Sequence, residues 1–309
     1  MIHTFKSKVG QILKRILPLR IYKLVANGFI IVPAYYKSII EELEVCHNLS
    51  LQKARGQDFL LMKKYAHILD KGLHRKDVNP GHSKIYYQEL KTIISKLKDT
   101  EYAEDPTYIW ASEKLACYEM LQNQPREFKP LGTGPVVSKL TYEQLFDLIK
   151  ERRSNRYFLD KIVTEEVILK LKSVSNWAAS SCNKQPVRLF VTNNSDLAKK
   201  CLKCCAGGTG FGKNIPSFWA FTANVRGYIY PCEMFLPSID TSLGAQNVFL
   251  AAQTLGLTGT ILSWGQHSQT DDVNLRKLLS IPVDYSIIFC AVIGYAESNY
   301  LTPCRKNVI

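Results

Sequence analysis

The chain has 309 residues and a formal net charge of +13, with 40 Lys and Arg against 27 Asp and Glu. Hydrophobic residues make up 46% of the chain and charged residues 22%, a balance that excludes wholesale disorder and indicates a globular protein. No apolar run reaches the ~20 residues needed to cross a bilayer. The length suits one large domain or two ordinary ones.

The first forty residues are strongly basic, with seven Lys or Arg and no acidic residue. Apolar residues at helical spacing between Phe5 and Leu17 predict a basic amphipathic helix. Such a helix either lies on an anionic membrane surface or covers part of its own protein, and the sequence leaves both interpretations open. Nucleic acid is disfavoured as a partner, because no recognition motif accompanies the charge.

In residues 1–130, apolar residues recur at intervals of three and four. This spacing predicts a mostly helical N-terminal extension. Helices are expected at Tyr22–Val45, Leu51–Leu73, Lys84–Leu97 and Tyr108–Asn123. The following stretch, Asn123–Pro135, is rich in Pro and Gly and predicts a linker.

The pattern changes to mixed helices and strands from about residue 138. A capping box at Thr141 and Gln144 opens a helix that is expected to run to about Arg152. Further helices are predicted at Glu165–Val174, Ser195–Cys204, Ser242–Leu255 and Val273–Leu279, and strands at Arg188–Thr192, Phe218–Val225, Leu257–Leu262 and Ser286–Ile293. This mixture predicts one α+β domain over residues 138–309.

The nine cysteines are odd in number and accompany no secretory signal, so free and mostly buried thiols in a reducing cytosol are expected. Cys201-x-x-Cys204-Cys205 lacks a second ligand pair at zinc-site spacing. The N-terminal histidines His67, His74 and His82 match no standard metal spacing either. We therefore predict no metal site.

Arg152, Arg153, Ser154 and Arg156 place three guanidinium groups within five residues at the end of a predicted helix. Paired N–H donors of arginine bind phosphate well, and a neighbouring hydroxyl adds another hydrogen bond. Taken alone, the same residues also fit a solvated basic helix end.

A second polar cluster, Ser180, Ser181, Asn183 and Gln185, leads into a predicted strand and is stiffened by Pro186. It supplies donors and acceptors for the edge of a flat heterocycle, or it caps an ordinary turn. The third cluster lies in the helical stretch from Asp240 to Leu257, whose face of Leu243, Ala251, Ala252 and Leu255 suits a close packing or subunit interface.

In their order and spacing these clusters resemble the flavin-dependent nitroreductase family, through R-R-S-x-R, S-S-x-N-x-Q-P and Q-N-x-x-L-A-A-x-x-L-G-L. The segments Leu278–Pro282, Ile288–Tyr295 and Thr302–Arg305 resemble the end of that family, so the likeness covers residues 141 to 309. The resemblance implies an α+β fold with a central, mainly antiparallel sheet flanked by helices. It also implies FMN as cofactor and an obligate homodimer with FMN at the interface.

The resemblance assigns a role to each cluster. It places Arg152 and Arg305 on the FMN phosphate, supported by Arg153 and Ser154, and Arg156 at the pyrimidine edge of the ring. The polar loop would bind the ring, with Ser180, Ser181 and Asn183 coming from the partner subunit and Gln185 near the ring. Backbone N–H groups of Ser263, Trp264 and Gly265 would approach flavin N5. No dedicated catalytic side chain is implied, because the chemistry belongs to the flavin.

The implied reaction passes hydride from NAD(P)H through flavin N5 to a small-molecule acceptor. Val187 replaces an aromatic residue common in the family, and the segment from Cys205 to Asp240 is short, so the acceptor pocket is expected to differ. His67–Leu73 and Asn79–His82 are similar to segments in bacterial polysaccharide-cluster relatives, which suggests a link to cell-surface polysaccharide synthesis.

Two alternatives stay open beside this reaction. One is a flavin-fold binding or regulatory protein at a membrane surface, suggested by the acid-free basic N-terminus. The other is flavin-dependent dehydrogenation without NAD(P)H. A cytoplasmic location is predicted. The basic helix also allows peripheral contact with the inner membrane face through residues 1–40.

Overall fold

The computed structural model describes residues 55–132, 134–228, 230–265, 267–298 and 304–305. The basic helix predicted between Phe5 and Leu17, and the helix predicted at Tyr22–Val45, lie outside the described residues. Within the described ranges, no helix combines the length and apolar character needed to cross a bilayer.

From residue 55 on, where the structure describes the N-terminal unit, it contains three helices: α1 (Arg55–Leu73), α2 (Lys84–Leu97) and α3 (Pro106–Asn123). All three were predicted within a few residues. The Asp105 carboxylate accepts a hydrogen bond from the Thr107 backbone N–H, and Pro106 occupies the first turn, which explains why α3 begins there. The helices share a buried core of Met62, Ala66, Leu69, Leu90, Ile93, Leu97, Ala111 and Tyr118.

Five helices and four strands follow the linker, and their bounds agree closely with those predicted. The helices are α4 (Tyr142–Glu151), α5 (Glu165–Ser175), α6 (Ser195–Lys203), α7 (Leu236–Thr254) and α8 (Gln269–Leu279). The strands are β1 (Val187–Thr192), β2 (Phe218–Asn224), β3 (Thr258–Ser263) and β4 (Tyr285–Gly294). The capping box of α4 is present, with Thr141 and Gln144 bonded in both directions.

Two helices begin earlier than predicted. Helix α7 begins six residues before Ser242, because Pro237 is accommodated in the first turn, where its missing N–H costs no helical hydrogen bond. Helix α8 begins four residues before Val273, where Ser268 and Asp271 form a second capping box.

The four strands form one antiparallel sheet in the order β1-β2-β4-β3. This arrangement confirms the predicted α+β class with an antiparallel central sheet. Helices α5 and α7 cover one face, and α6 and α8 cover the other. The two faces contribute different sets to the core: Trp219, Phe221, Val248, Phe249 and Ala252 on the first, and Phe218, Leu262, Cys290 and Val292 on the second.

The apolar face predicted for α7 is only partly the one that packs. Ala252 is buried as expected, but Leu243 and Leu255 are exposed. The positions facing the sheet and α5 are Gly244, Ala245, Val248 and Phe249, which share one side of the helix because they are spaced by three or four residues or lie next to each other.

The cysteines of the described residues are all free thiols, as predicted. Four are buried: Cys201, Cys204, Cys205 and Cys290. Burial raises the pKa of Cys201 to about 12, which keeps this thiol protonated and unreactive near neutral pH.

Candidate functional site

The basic segment Arg152–Arg156 follows α4 directly and is fixed by two threonines of β3. The Thr258 Oγ1 hydroxyl donates to the Arg153 carbonyl at 2.8 Å, and the Thr260 Oγ1 hydroxyl donates to the Asn155 carbonyl. Both threonines are buried on the same face of the strand. The backbone of the segment is thus anchored to the sheet.

Three guanidinium groups converge at the start of this segment. The pKa of Arg152 is lowered, first by burial and then by the positive charges of Arg305 and Arg153. Residues 152 and 305 are remote in sequence, and this effect indicates that their guanidinium groups lie near each other in the fold. Arg152 Nη1 lies 3.4 Å from Ser154 Oγ.

Within the described residues, no carboxylate lies within 4.0 Å of the Arg152 or Arg305 guanidinium. Arg153 turns back on its own helix and donates to the Lys150 and Arg152 carbonyls. A partly buried concentration of positive charge without a counter-charge is costly unless an anion binds there. The geometry therefore fits a phosphate group.

Asn155, between the arginines, is a further residue at this site that was not among the predicted site residues. It is 1% exposed, and neither Nδ2 nor Oδ1 of its buried amide has a hydrogen-bond partner among the described residues. An unsatisfied buried amide is costly, which is a reason to expect a ligand or water at this position. In the sequence, only its position inside the R-R-S-N-R motif indicated a role for Asn155 at this site.

Arg156 lies beside an aromatic ring at the edge of a depression in the surface. Its Cζ lies 6.0 Å from the centroid of the Phe211 ring, and its carbonyl accepts from the Gly212 N–H at 2.8 Å. Phe211 and Gly212 border a depression of about 490 Å³. Three lysines also line it: Lys199, Lys203 and Lys213. The glycine run Gly207–Gly212, which matches no dinucleotide-binding motif, therefore helps to form a basic depression next to Arg156.

The polar loop before β1 has an unusual backbone. Cys182, Asn183 and Gln185 have φ angles of 51°, 52° and 49°, in the left-handed region that non-glycine residues seldom adopt. Gln185 N–H donates to Ser180 Oγ at 3.0 Å, and Gln185 Nε2 donates to Asn183 Oδ1 at 3.1 Å. Three such residues in one loop require support from their surroundings, and this kind of strain clusters at binding sites.

A buried carboxylate, Asp240 at the start of α7, supports the beginning of this loop. It accepts hydrogen bonds from the Ser181 N–H and Oγ at 3.0 Å and from the Tyr228 hydroxyl at 2.7 Å. Burial and the bond to Asp240 raise the pKa of Tyr228 well above its ordinary range, so its hydroxyl remains a donor. These contacts join residues far apart in sequence, so no local sequence pattern indicated them.

A second buried carboxylate, Glu233, supports the end of the loop. The Lys184 side chain is completely buried and donates from Nζ to Glu233 Oε1 at 2.7 Å. Lys64 Nζ of helix α1 lies 3.5 Å from the same oxygen. Burial alone would raise the pKa of Glu233, but the two lysines hold it below its usual value.

The turn Ser263–Gly265 ends β3 at the same end of the sheet as the start of β1. Trp264 is 3% exposed, belongs to the core, and stacks on His267 with ring centroids 4.6 Å apart. The Gly265 N–H donates to Ser263 Oγ at 3.3 Å. In the described part of the chain, no hydrogen bond joins this turn or the polar loop to Arg152, Arg156 or Arg305.

Sheet and clusters together define an α+β domain that presents a cationic corner, with a strained polar loop at the opposite edge of the sheet. Comparison with known proteins identifies the class. Residues 149–210, which contain the basic segment and the polar loop, match the Nitroreductase family. This match confirms the predicted resemblance to the nitroreductase family and the predicted enzyme class, an oxidoreductase.

Two archaeal relatives are each similar to about half of the chain. A protein of Archaeoglobus fulgidus named for NADH dehydrogenase/NAD(P)H nitroreductase is 28% identical over 161 residues, which are 51% of this chain and 88% of the relative. One of the same name in Methanothermobacter thermautotrophicus is 29% identical over 179 residues, 54% of this chain and 85% of the relative. A solved structure from Clostridium difficile, titled an FMN-dependent nitroreductase, is 23% identical with a TM-score of 0.45 and covers 52% of this chain and 91% of its own.

Proposed function

We propose that the protein is an FMN-dependent oxidoreductase that passes hydride from NAD(P)H to a small-molecule acceptor. The observation that carries the proposal is the convergence of Arg152, Arg153 and Arg305 at a corner where Arg152 and Arg305 face no carboxylate among the described residues. The predicted cofactor pair, FMN with NAD(P)H, is the one used by the family. When bound, FMN supplies the ring that accepts and returns the hydride.

Each cluster has a distinct role in this proposal. Arg152 and Arg305 hold the phosphate, assisted by the charge of Arg153 and the hydroxyl of Ser154. Arg156 places a positive charge at the pyrimidine edge of the ring, where it favours the negative charge that develops on reduction. The roles are supported by the positions of the residues and by the absence of competing carboxylates around Arg152 and Arg305 in the described part of the chain.

The loop residues Ser180, Ser181, Asn183 and Gln185 bind the polar edge of the ring in the proposed complex, the first three from the partner subunit. Ser263, Trp264 and Gly265 present backbone groups toward N5. Within the described ranges of one chain, no hydrogen bond joins the loop to the arginine corner. A second copy of the chain would bring its own loop to the arginine corner of the first, so that both contact one ligand.

An exposed apolar surface supports the homodimer. Helix α4 buries none of its own side chains, although Tyr142, Leu145, Phe146 and Ile149 recur at helical spacing. Helix α7, which contacts α4, adds Ile239 and Leu243 to this surface. Large exposed apolar patches rarely occur on monomers and mark interaction sites.

Replacing Phe146 with Glu is therefore expected to dissociate the dimer. A carboxylate at the centre of an apolar interface must be desolvated without a partner, so we expect the dimer Kd to rise at least ~100-fold. Sedimentation equilibrium at several concentrations measures this. Ile109→Glu is the matched control, because Ile109 is similarly exposed but lies on α3 of the N-terminal unit. Equal association of Phe146→Glu and the wild type would exclude this surface as the interface.

The proposed function is tested by the cofactor and its reduction. The purified full-length protein is expected to be yellow, to release FMN on denaturation, and to be bleached by NADH or NADPH in anaerobic stopped-flow mixing. Protein that remains colourless and takes up no added FMN would overturn the proposal. If FMN binds but neither nucleotide reduces it, the alternative of flavin-dependent dehydrogenation without NAD(P)H replaces it.

The acceptor and the link to cell-surface polysaccharide synthesis stay predictions from the sequence. So do the cytoplasmic location and the peripheral membrane contact, since residues 1–40 lie outside the described residues. Binding of the full chain to anionic vesicles, compared with a chain lacking residues 1–40, measures that contact directly.

A further inference from the structure

A chain of three buried charged groups connects the N-terminal helical unit to the polar loop. Lys64 of α1, Glu233 and Lys184 of the loop are each less than 10% exposed. Glu233 Oε1 lies 3.5 Å from Lys64 Nζ and 2.7 Å from Lys184 Nζ. The ammonium groups of Lys64 and Lys184 thus share one carboxylate, although Lys64 belongs to the N-terminal helical unit and Lys184 to the polar loop.

The same interface is also packed by apolar and aromatic groups. Lys64 Nζ lies 4.8 Å from the centre of the Tyr230 ring, and Lys184 Nζ lies 4.3 Å from that of Tyr228. A methyl group built on Gly227 would lie 3.3 Å from Leu60 Cβ and 3.5 Å from Lys184 Cδ. Helix α1 is therefore in close contact with the turn Val225–Gly227 and, through it, with the stem of Lys184.

Buried ion pairs contribute little net stability, because desolvation of the charges offsets their attraction. Their best-supported use is to fix one arrangement among several. Here the fixed group is the side chain of Lys184. The backbone of its neighbours Asn183 and Gln185 lies in the left-handed region, so this loop needs support from its surroundings. Lys64 adds a second cation to Glu233 and so orients the carboxylate that holds Lys184.

We propose that Lys64 is a positioning residue through which the N-terminal helical unit holds the ring-binding loop in its binding conformation, acting on Glu233 and Lys184. This inference rests on the proposed function, since it assigns the loop to FMN. The N-terminal extension thereby gains a role, because it organises the cofactor site of the domain that follows it.

The chain offers a matched pair of variants for the test, Lys64→Met and Lys63→Met. Both remove a buried ammonium group from adjacent positions of α1, but Lys63 lies against Phe59 inside the helical unit, 4.7 Å from its ring centre. Two quantities are measured on the full chain: the Kd for FMN by flavin fluorescence, and amide hydrogen exchange of residues 181–185 without FMN. We expect Lys64→Met to weaken FMN binding about tenfold and to speed exchange in the loop.

Lys63→Met is expected to change neither quantity, and Lys64→Arg is expected to restore both to within about twofold of the wild type, because it keeps a cation near Glu233. If Lys64→Met does not fold, Lys64→Gln is measured in the same way. The inference would be overturned if Lys64→Met had the same amide hydrogen exchange in the loop and the same Kd for FMN as Lys63→Met. Since exchange is measured without cofactor, it tests the inference even if the wild type binds no FMN, an outcome that overturns only the proposed function.

Discussion

Replacing Asp240 with Ala is expected to destabilise the domain by about 3 to 5 kcal/mol and to weaken FMN binding as well. The carboxylate is 2% exposed and accepts hydrogen bonds from the Ser181 N–H, the Ser181 hydroxyl and the Tyr228 hydroxyl. Its removal leaves three polar groups without their acceptor, and it releases the first anchor of the strained loop. Urea unfolding measures the first effect, and FMN titration under conditions where the variant is folded measures the second.

Asp105→Ala is the control for Asp240→Ala, because Asp105 also accepts two hydrogen bonds, at the start of α3 in the N-terminal unit. It is expected to lose about 1 kcal/mol of stability, the usual value of a helix cap, without a change in the Kd for FMN. Equal losses of FMN affinity in the two variants would mean that Asp240 supports the fold generally and not the loop in particular.

The local features of this chain could be predicted from the sequence because their causes are local. The capping box of α4 involves residues three apart, and the strands follow short β-branched and aromatic runs bounded by turn residues. The start of α7 was misplaced for a physical reason, since Pro237 breaks a helical pattern in its interior but is tolerated in its first turn.

The supports of the candidate site could not be predicted, because each joins distant parts of the chain. Asp240 and Ser181 are 59 residues apart, and Glu233 and Lys184 are 49 apart. No periodicity or spacing indicates such pairs. Arg152 and Arg305 were brought together only by the family resemblance, and in the structure the charge of Arg305 lowers the Arg152 pKa. Lys64 lies in a helix whose own pattern suggested only a structural role.

Replacing Arg152 with Ala is expected to weaken FMN binding about 10- to 100-fold, because a charge-assisted bond to the phosphate is lost in a partly buried position. The stability of the protein without FMN is expected not to fall on the same substitution. Burial and the charges of Arg305 and Arg153 lower the Arg152 pKa, which means that the folded chain disfavours this cation when no anion is present. Without FMN, Arg152→Ala is therefore expected to be at least as stable as the wild type.

These opposite signs separate a ligand-binding residue from a structural one, since binding sites commonly sacrifice stability for affinity. Arg188→Ala is the control: it removes an exposed guanidinium that lies 5.0 Å from the Phe190 ring centre on β1, and it should leave the Kd for FMN unchanged. FMN titration at low and high salt, with urea unfolding of each apo-protein, gives both quantities. An unchanged FMN titration in Arg152→Ala, accompanied by a loss of apo stability, would place the phosphate elsewhere in the domain.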